Sequence, residues 1–188
     1  MNISAKSRAG AEISDWLEEK FVEYTTQHKY FKESEACPKG KTKNPWDART
    51  YFMIEDIYEE IWMDFKAIKI SQVDSNPDIG TPNKVIECIQ SGNFYIIYIY
   101  VYYESTKIGL TFARINNLYS KVYLFKNISS TFRRNPNNQL QVNISQETEY
   151  RSRQEFIELL INKLEESYQH QIDKASKELN LLENKKHT

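Results

Sequence analysis

Apolar residues recur at three- and four-residue intervals near both ends of the chain. Over residues 9–26 they form one stripe, made of Ile13, Trp16, Leu17, Phe21 and Tyr24. This spacing predicts an amphipathic helix that packs one face on a sheet. A similar spacing over residues 152–182 predicts a longer helix. Its second half, residues 170–188, is too charged for a core helix, so we expect it to contact a second subunit and to fray over the last residues.

Between these helices the pattern changes to that of strands. Residues 49–54 and 61–70 predict an antiparallel hairpin with an acidic turn, and residues 94–103, β-branched or aromatic on both faces, predict a central strand. We interpret the tyrosines of that strand as packing groups. A short helix is expected at 83–90, further strands at 107–114, 121–128 and 139–144, and loops at 31–44 and 71–82. The chain is therefore predicted to be one α/β domain, residues 1–188, with a central mixed β-sheet flanked by helices.

Composition supports a globular protein of one domain. The chain has 188 residues, of which 40% are hydrophobic and 13% aromatic, enough to bury a core without disulfides or a structural metal. Its two cysteines, Cys37 and Cys88, lie in no CxxC or Cys/His group, so neither zinc nor a disulfide framework is indicated. The longest apolar run, 94–103, is about half of the ~20 residues that a membrane-spanning helix needs. We expect a cytoplasmic protein with no membrane partner.

Two unlike charges lie on a strand that should be buried. If residues 61–70 form a strand, Asp64 and Lys66 share one face with Trp62 and Ile68, and both faces are mostly apolar. Charged side chains in such a place are paired or bind something. A third charge, Asp47, precedes the first strand of the hairpin. The simplest interpretation is an ion pair between Asp64 and Lys66.

The other interpretation is a metal-dependent phosphodiester site. Two carboxylates that converge from neighbouring strands offer hard oxygen ligands, which suit Mg²⁺, or Mn²⁺ as a substitute, better than zinc. An ammonium group two residues beyond the second carboxylate would point at the same pocket. There it would orient or help to deprotonate the attacking water and offset the charge that builds on the phosphate.

The segment as a whole resembles the PD-(D/E)xK nucleases, and among them the type II restriction endonucleases. The matching residues are Pro45-Trp46-Asp47 and, after a hairpin, Trp62-Met63-Asp64-Phe65-Lys66-Ala67. The resemblance implies a restriction-endonuclease-like fold, with Asp47, Asp64 and the Phe65 carbonyl as metal ligands and Lys66 as the catalytic lysine. One departure from the family pattern is that Trp46 separates Pro45 from the first acid. Asp56 and Glu55 are therefore alternatives to Asp47.

The resemblance also directs attention to an acid on the first helix, because such an acid often joins the metal site in restriction enzymes. Here that acid is Glu12. The alternative is a solvated glutamate that is favoured by the helix dipole in the first turn.

Three segments carry candidate DNA contacts. The loop over residues 31–44 places Lys39, Lys41 and Lys43 beside the predicted site, with Arg49 nearby, although the net charge is only −1. Gln72 and Asn76 lie in the loop that follows the charged strand. The third segment is rich in side chains that can read base edges, since arginine binds guanine at two atoms and asparagine or glutamine binds adenine in the same way. Its candidates are Arg133, Arg134, Asn135, Asn138 and Gln139. The alternative for each segment is an ordinary solvated turn.

Taken together, the sequence predicts a Mg²⁺-dependent type II restriction endonuclease. It would act on double-stranded DNA as a homodimer, because a two-fold protein matches a palindromic site and presents one active centre to each strand. Two alternatives stay open. One is a structure-selective or repair nuclease with the same fold, and the other is a DNA-binding domain without catalysis.

Overall fold

A mixed six-stranded sheet forms the centre of the fold. The computed structural model describes residues 9–38, 46–72, 76–92, 95–107 and 109–186. The helices are α1 (Ala9–Thr26), α2 (Pro82–Gln90) and α3 (Arg153–Lys186). The strands are β1 (Phe31–Ala36), β2 (Ala48–Ile54), β3 (Ile57–Lys69), β4 (Tyr95–Thr106), β5 (Gly109–Phe112), β6 (Ser120–Leu124), β7 (Arg133–Arg134) and β8 (Leu140–Gln141).

The strands follow one another across the sheet in the order β1-β2-β3-β4-β5, and β6 also pairs with β4. Among the described strands only the β3–β4 pair is parallel, and α2 lies in the connection between these two strands. Antiparallel strands on both sides make the sheet mixed. Strands β7 and β8 form a separate small hairpin. The predicted α/β class, with a central mixed sheet flanked by helices in a single domain, is confirmed.

The two faces of β3 pack against different helices. On one face Met63 and Phe65 are buried against Leu17 and Phe21 of α1. On the other face Trp62 and Ile68 belong to the larger core, together with buried side chains of α2 and α3. Because odd and even residues of a strand point to opposite faces, Asp64 and Lys66 lie on the side of the larger core.

Strand β4 is the central strand, as predicted. Tyr98, Tyr100 and Tyr102 are buried on the face of the larger core, and the rings of Tyr98 and Tyr100 both stack on that of Tyr123 from β6. The tyrosines therefore pack the interior. They do not form an exposed platform for bases.

Helix α3 begins at a capping box. The Ser152 hydroxyl accepts the Glu155 N–H at 3.2 Å, and the Glu155 carboxylate accepts the Ser152 N–H at 2.7 Å, which satisfies two N–H groups at the helix start. The helix continues to Lys186, and the expected fraying of residues 183–188 stays a prediction.

The structure also corrects the predicted strands. Strand β1 lies within the segment expected to be a loop. It is an edge strand, and its sequence, Phe-Lys-Glu-Ser-Glu-Ala, lacks the apolar alternation by which a half-buried strand is predicted. The predicted strands 107–114 and 139–144 are present only as the shorter strands β5 and β8. Helix α1 has the predicted bounds, although Tyr24 of its stripe is exposed. Within the described ranges, no helix is both long enough and apolar enough to cross a membrane.

Candidate active site

The β2–β3 hairpin brings Asp47 and Asp64 together. Ala48 pairs with Met63, and the Asp47 N–H donates to the Met63 carbonyl at 2.9 Å. Continuing this register by one residue places Asp47 opposite Asp64. The Asp47 carboxylate also accepts the Phe65 N–H at 2.7 Å through Oδ2. The first acid is therefore fixed by the strand that carries the second.

Lys66 completes a group of three charges. Its Nζ lies 2.5 Å from Asp64 Oδ1. This oxygen is buried, and it accepts no hydrogen bond of normal geometry among the described residues. The side chain of Asp64 is 16% exposed and that of Lys66 is 29% exposed, so both charges are largely removed from bulk water.

Burial and mutual charge set the protonation of this group. Burial raises the pKa of Asp64 to about 6, against the opposing effect of Lys66. Burial likewise raises the pKa of Asp47, which Lys66 and the Phe65 N–H partly offset. For Lys66, burial lowers the pKa, but the carboxylates of Asp64 and Asp47 outweigh it and the net change is upward. Near pH 7 Lys66 is therefore protonated, and Asp64, whose pKa is about 6, is largely ionised beside it.

A cavity of about 110 Å³ opens beside the two carboxylates. Asp47 and Asp64 line it together with Lys84 of α2 and side chains of the larger core. The Tyr98 hydroxyl donates to the Ile79 carbonyl and holds the wall formed by the loop before α2. The predicted acids thus reach an open space where a ligand can approach.

The donor set fits a hard divalent cation. Two carboxylates from neighbouring strands face one cavity, and the buried Asp64 Oδ1 lacks a normal hydrogen bond. The Phe65 carbonyl, the third predicted ligand, accepts a 3.3 Å hydrogen bond from the Ser14 hydroxyl of α1. Among the described residues, no group of three or more His, Cys, Asp or Glu side chains is arranged to hold a metal ion. The fit therefore depends on carboxylate and carbonyl oxygens used together.

The first helix contributes an acid that the sequence did not single out. Burial, followed by the charges of Asp47, Asp15 and Asp64, raises the pKa of Glu18 to about 7. Glu18 is therefore close enough for its charge to act on the pair. Glu18 follows Ser14 by one helical turn, and the Ser14 hydroxyl donates to the Phe65 carbonyl. The position of Glu18 near the site therefore depends on how α1 packs on β3, which the sequence pattern does not show. The role of Glu12 as a ligand stays a prediction.

The alternative acids lie at the other end of the hairpin. Glu55 and Asp56 form its two-residue turn, both with positive φ, and both are exposed. Asp56 precedes Asp64 by eight residues, or about 26 Å along a strand. That distance excludes these two acids from the cavity that Asp47 lines.

The candidate base-reading segment folds as the β7–β8 hairpin. It lies beside residues 76–81, the active-site loop, of which Ile79 and Gly80 line the catalytic cavity. Asn135 shapes its turn, since Oδ1 accepts the N–H groups of Asn137 and Gln139 at 2.9 Å each. Asp78 joins the hairpin to the loop by accepting from Asn135 Nδ2 at 3.1 Å and from Gln141 Nε2 at 2.7 Å. The hairpin is thus attached to the loop that borders the catalytic cavity.

The two arginines of this hairpin differ. Arg133 is exposed, whereas Arg134 donates to Asn138 Oδ1 at 2.5 Å and stacks on the Tyr168 ring, 4.5 Å from its centre. Arg134 and Asn138 therefore have structural partners, and Arg133 has an exposed side chain.

A second cavity, of about 280 Å³, opens beside the hairpin. Asn76 and Arg133 line it, together with residues that the sequence did not single out, namely Thr131, Gln141, Asn143 and Gln146. Gln72 is exposed at the end of a short 3-10 turn, Ile70–Gln72, that follows β3. The predicted contacts Lys39, Lys41 and Lys43 lie outside the described residues. Arg49 pairs with Glu35 and Glu60, so part of its charge is already compensated.

A protein-family model described as "SwaI-like: SwaI restriction endonuclease" matches residues 1–182. No curated protein matches the chain.

Proposed function

The chain belongs to the SwaI-like restriction endonuclease family, and we propose that it is a type II enzyme that hydrolyses both strands of DNA at a short, palindromic sequence. In this proposal it is a PD-(D/E)xK nuclease that requires Mg²⁺ or Mn²⁺ and leaves 5′-phosphate ends. A restriction enzyme acts on DNA inside the cell, so a cytoplasmic location is part of the proposal.

One observation carries the proposal. Asp47 and Asp64 face each other across two paired strands, and Lys66 lies against Asp64 on the same face. Replacing a buried ion pair with apolar side chains of similar volume is often neutral or stabilising, so such a pair is weak evidence of a stabilising role. The group is therefore better explained by chemistry than by stability.

Asp47, Asp64 and the Phe65 carbonyl would hold the cation, and Glu18 is the acid on α1 whose charge reaches them. A bound Mg²⁺ would polarise a phosphate oxygen and lower the pKa of a bound water. The Phe65 N–H fixes the Asp47 carboxylate before any ligand arrives, which reduces the reorganisation that binding requires.

Lys66 supplies positive charge beside the phosphate. Its raised pKa keeps the side chain protonated near pH 7, so it can donate hydrogen bonds to the attacking water and to a phosphate oxygen. The scissile phosphate gains negative charge in the transition state, and a fixed ammonium group stabilises that charge. This favours positioning and charge stabilisation by Lys66 over abstraction of a proton.

DNA would lie across the catalytic cavity and the neighbouring polar cavity. Arg133, Asn76 and Gln139 are the candidates for base contacts, with Asn135, Gln72 and the predicted lysines at the periphery. Asp78 links the hairpin to the active-site loop. A shift of the hairpin on binding bases would therefore also move the loop that lines the catalytic cavity. Two copies of the chain would place one active centre on each strand.

The test is cleavage of a mixture of phage and plasmid DNA with Mg²⁺. The wild type should give discrete fragments, and chelation with EDTA should abolish them. Lys66→Ala should lose cutting, while Lys69→Ala, on the opposite face of the same strand, should retain it. A smear instead of discrete fragments would favour a nuclease without sequence specificity. Equal cutting by Lys66→Ala, or none by the folded wild type, would refute the proposal.

A further inference from the structure

Most of helix α3 extends away from the domain. The helix has 34 residues and is therefore about 51 Å long. Phe156, Leu160 and Leu164 anchor its first turns in the larger core. Beyond Leu164 nearly every residue of the helix is exposed, although large apolar side chains continue along it.

These exposed apolar side chains follow a heptad repeat. From Ile161 onward the heptad positions are four and three residues apart in turn. This average spacing of 3.5 residues aligns them along one seam of the helix. The seam consists of Ile161, Tyr168, Ile172, Ala175, Leu179 and Leu182. The large members are each about half exposed, between 46% and 61%. One heptad position within the seam is polar, Glu165. From Tyr168 to Leu182 the strip is apolar without interruption, and an exposed apolar strip of this kind marks an interaction surface.

We infer that this seam pairs with the same seam of a second copy of the chain, as an antiparallel two-stranded coiled coil. A 3.5-residue repeat is complementary to a helix with the same repeat, and a second copy supplies one. The seam runs from Ile161 to Leu182, which is 22 of the 34 residues of the helix, or about six helical turns over which a second helix can pack. The inference deepens the proposed function and rests on it in one respect, the need for two active centres.

Charge decides the direction of the two helices. In a parallel pair Glu165 would face Glu165 of the partner subunit inside the seam, and Glu178 would flank Glu183 of the partner subunit. Both contacts bring like charges together. In an antiparallel pair centred between residues 173 and 174, Glu165 lies beside Leu182 of the partner subunit, near the end of the seam. Tyr168 then lies beside Leu179 of the partner subunit.

The antiparallel arrangement is two-fold symmetric and closed, so it gives a dimer and no larger assembly. It also brings the partner's helix close to Tyr168, whose ring already stacks on Arg134. The dimer contact would therefore support the β7–β8 hairpin of each copy.

Sedimentation equilibrium of the full chain, without DNA, tests the pairing. The wild type should be a dimer at micromolar concentration. Ile172→Glu with Leu179→Glu should be a monomer with unchanged helical circular dichroism. His170→Glu with Asn180→Glu adds the same charge to the outer face of the same helix and should remain a dimer. A monomeric wild type, or a dimeric seam variant, would overturn the inference. If the double variant unfolds, Leu179→Ala decides: it should weaken the dimer at least tenfold, and unchanged affinity would overturn the inference.

Disulfide trapping tests the direction. Glu165→Cys mixed with Leu182→Cys should give a cross-linked heterodimer on oxidation, while each variant alone should not cross-link. In an antiparallel pair of two Leu182→Cys chains, the introduced thiols would be about 26 Å apart. Wild type, which has only Cys37 and Cys88, controls for native thiols. Cross-linking of Leu182→Cys alone would show a parallel pair and refute the antiparallel assignment.

These measurements separate the inference from the proposed function. A dimer that does not cut DNA would refute the nuclease assignment and leave the coiled coil standing. A monomer that cuts DNA at specific sites would refute the coiled coil and leave the nuclease assignment standing.

Discussion

The two faces of strand β3 are built for different purposes. On one face Met63 and Phe65 pack against α1 with 2% and 4% of their surface exposed. On the other face, one residue along in each case, Asp64 and Lys66 bury charge beside an open cavity. The first face follows the rule for stable proteins and the second breaks it. Such a local exception marks the face on which we place the chemistry.

The largest expected effect is on the apolar face. Phe65→Ala should lower the free energy of unfolding by about 3–5 kcal/mol, because it removes a buried ring and leaves a cavity. Urea titration measures this change. Lys69→Ala, at the end of the same strand, is the control and should change the free energy by less than about 1 kcal/mol. A loss below about 1 kcal/mol for Phe65→Ala would show that this face is not the stabilising one.

The opposite sign is expected on the charged face. Asp64→Asn should raise the free energy of unfolding at pH 7 by about 2 kcal/mol in metal-free buffer, because it replaces a buried carboxylate with a neutral amide. The pKa of Asp64 in the folded protein, about 6, lies above its ordinary value of 3.8. The stability that the protonated carboxyl contributes is therefore complete below about pH 4 and is lost as the pH rises through 6.

The difference between Asp64→Asn and wild type should consequently grow from pH 4 to pH 7. Urea titrations across this range measure it. If the variant is less stable than the wild type at pH 7, the ion pair with Lys66 is stabilising and the contrast between the two faces fails.

A smaller effect is expected at the boundary of the charged face. Tyr98 pairs with Asp64 in the β3–β4 register, and its hydroxyl donates to Ile79. Tyr98→Phe should cost about 1 kcal/mol, because the Ile79 carbonyl loses a buried partner. Tyr95→Phe, at the exposed start of the same strand, should change the free energy of unfolding little. Equal effects of the two variants would show that the hydroxyl does not hold the active-site loop.

Features that depend on local periodicity could be predicted from the sequence. The bounds of α1, the two faces of β3 and the central place of β4 all follow from the spacing of apolar residues. The position of Asp47 beside Asp64 follows from the same source, because an antiparallel hairpin fixes which residues oppose each other.

Features that depend on docking could not be predicted. Glu18 approaches the carboxylate pair through the angle at which α1 lies on the sheet, which the helical pattern does not specify. The sequence pattern predicts an exposed turn at Arg134. In the structure Arg134 stacks on Tyr168 of α3, a residue more than thirty positions later in the chain. Strand β1 forms because an edge of the sheet was available, although its own sequence is mostly polar.

The most direct test of the central claim is the single-turnover rate of DNA cleavage by Asp64→Asn with Mg²⁺, at a temperature where both proteins are folded. Loss of one preorganised group that stabilises charge in the transition state lowers rates by about 10²–10³-fold. We predict a fall of at least that size in a variant that is more stable than the wild type. A cleavage rate within a few-fold of the wild type would contradict the assignment of Asp64 to the chemistry.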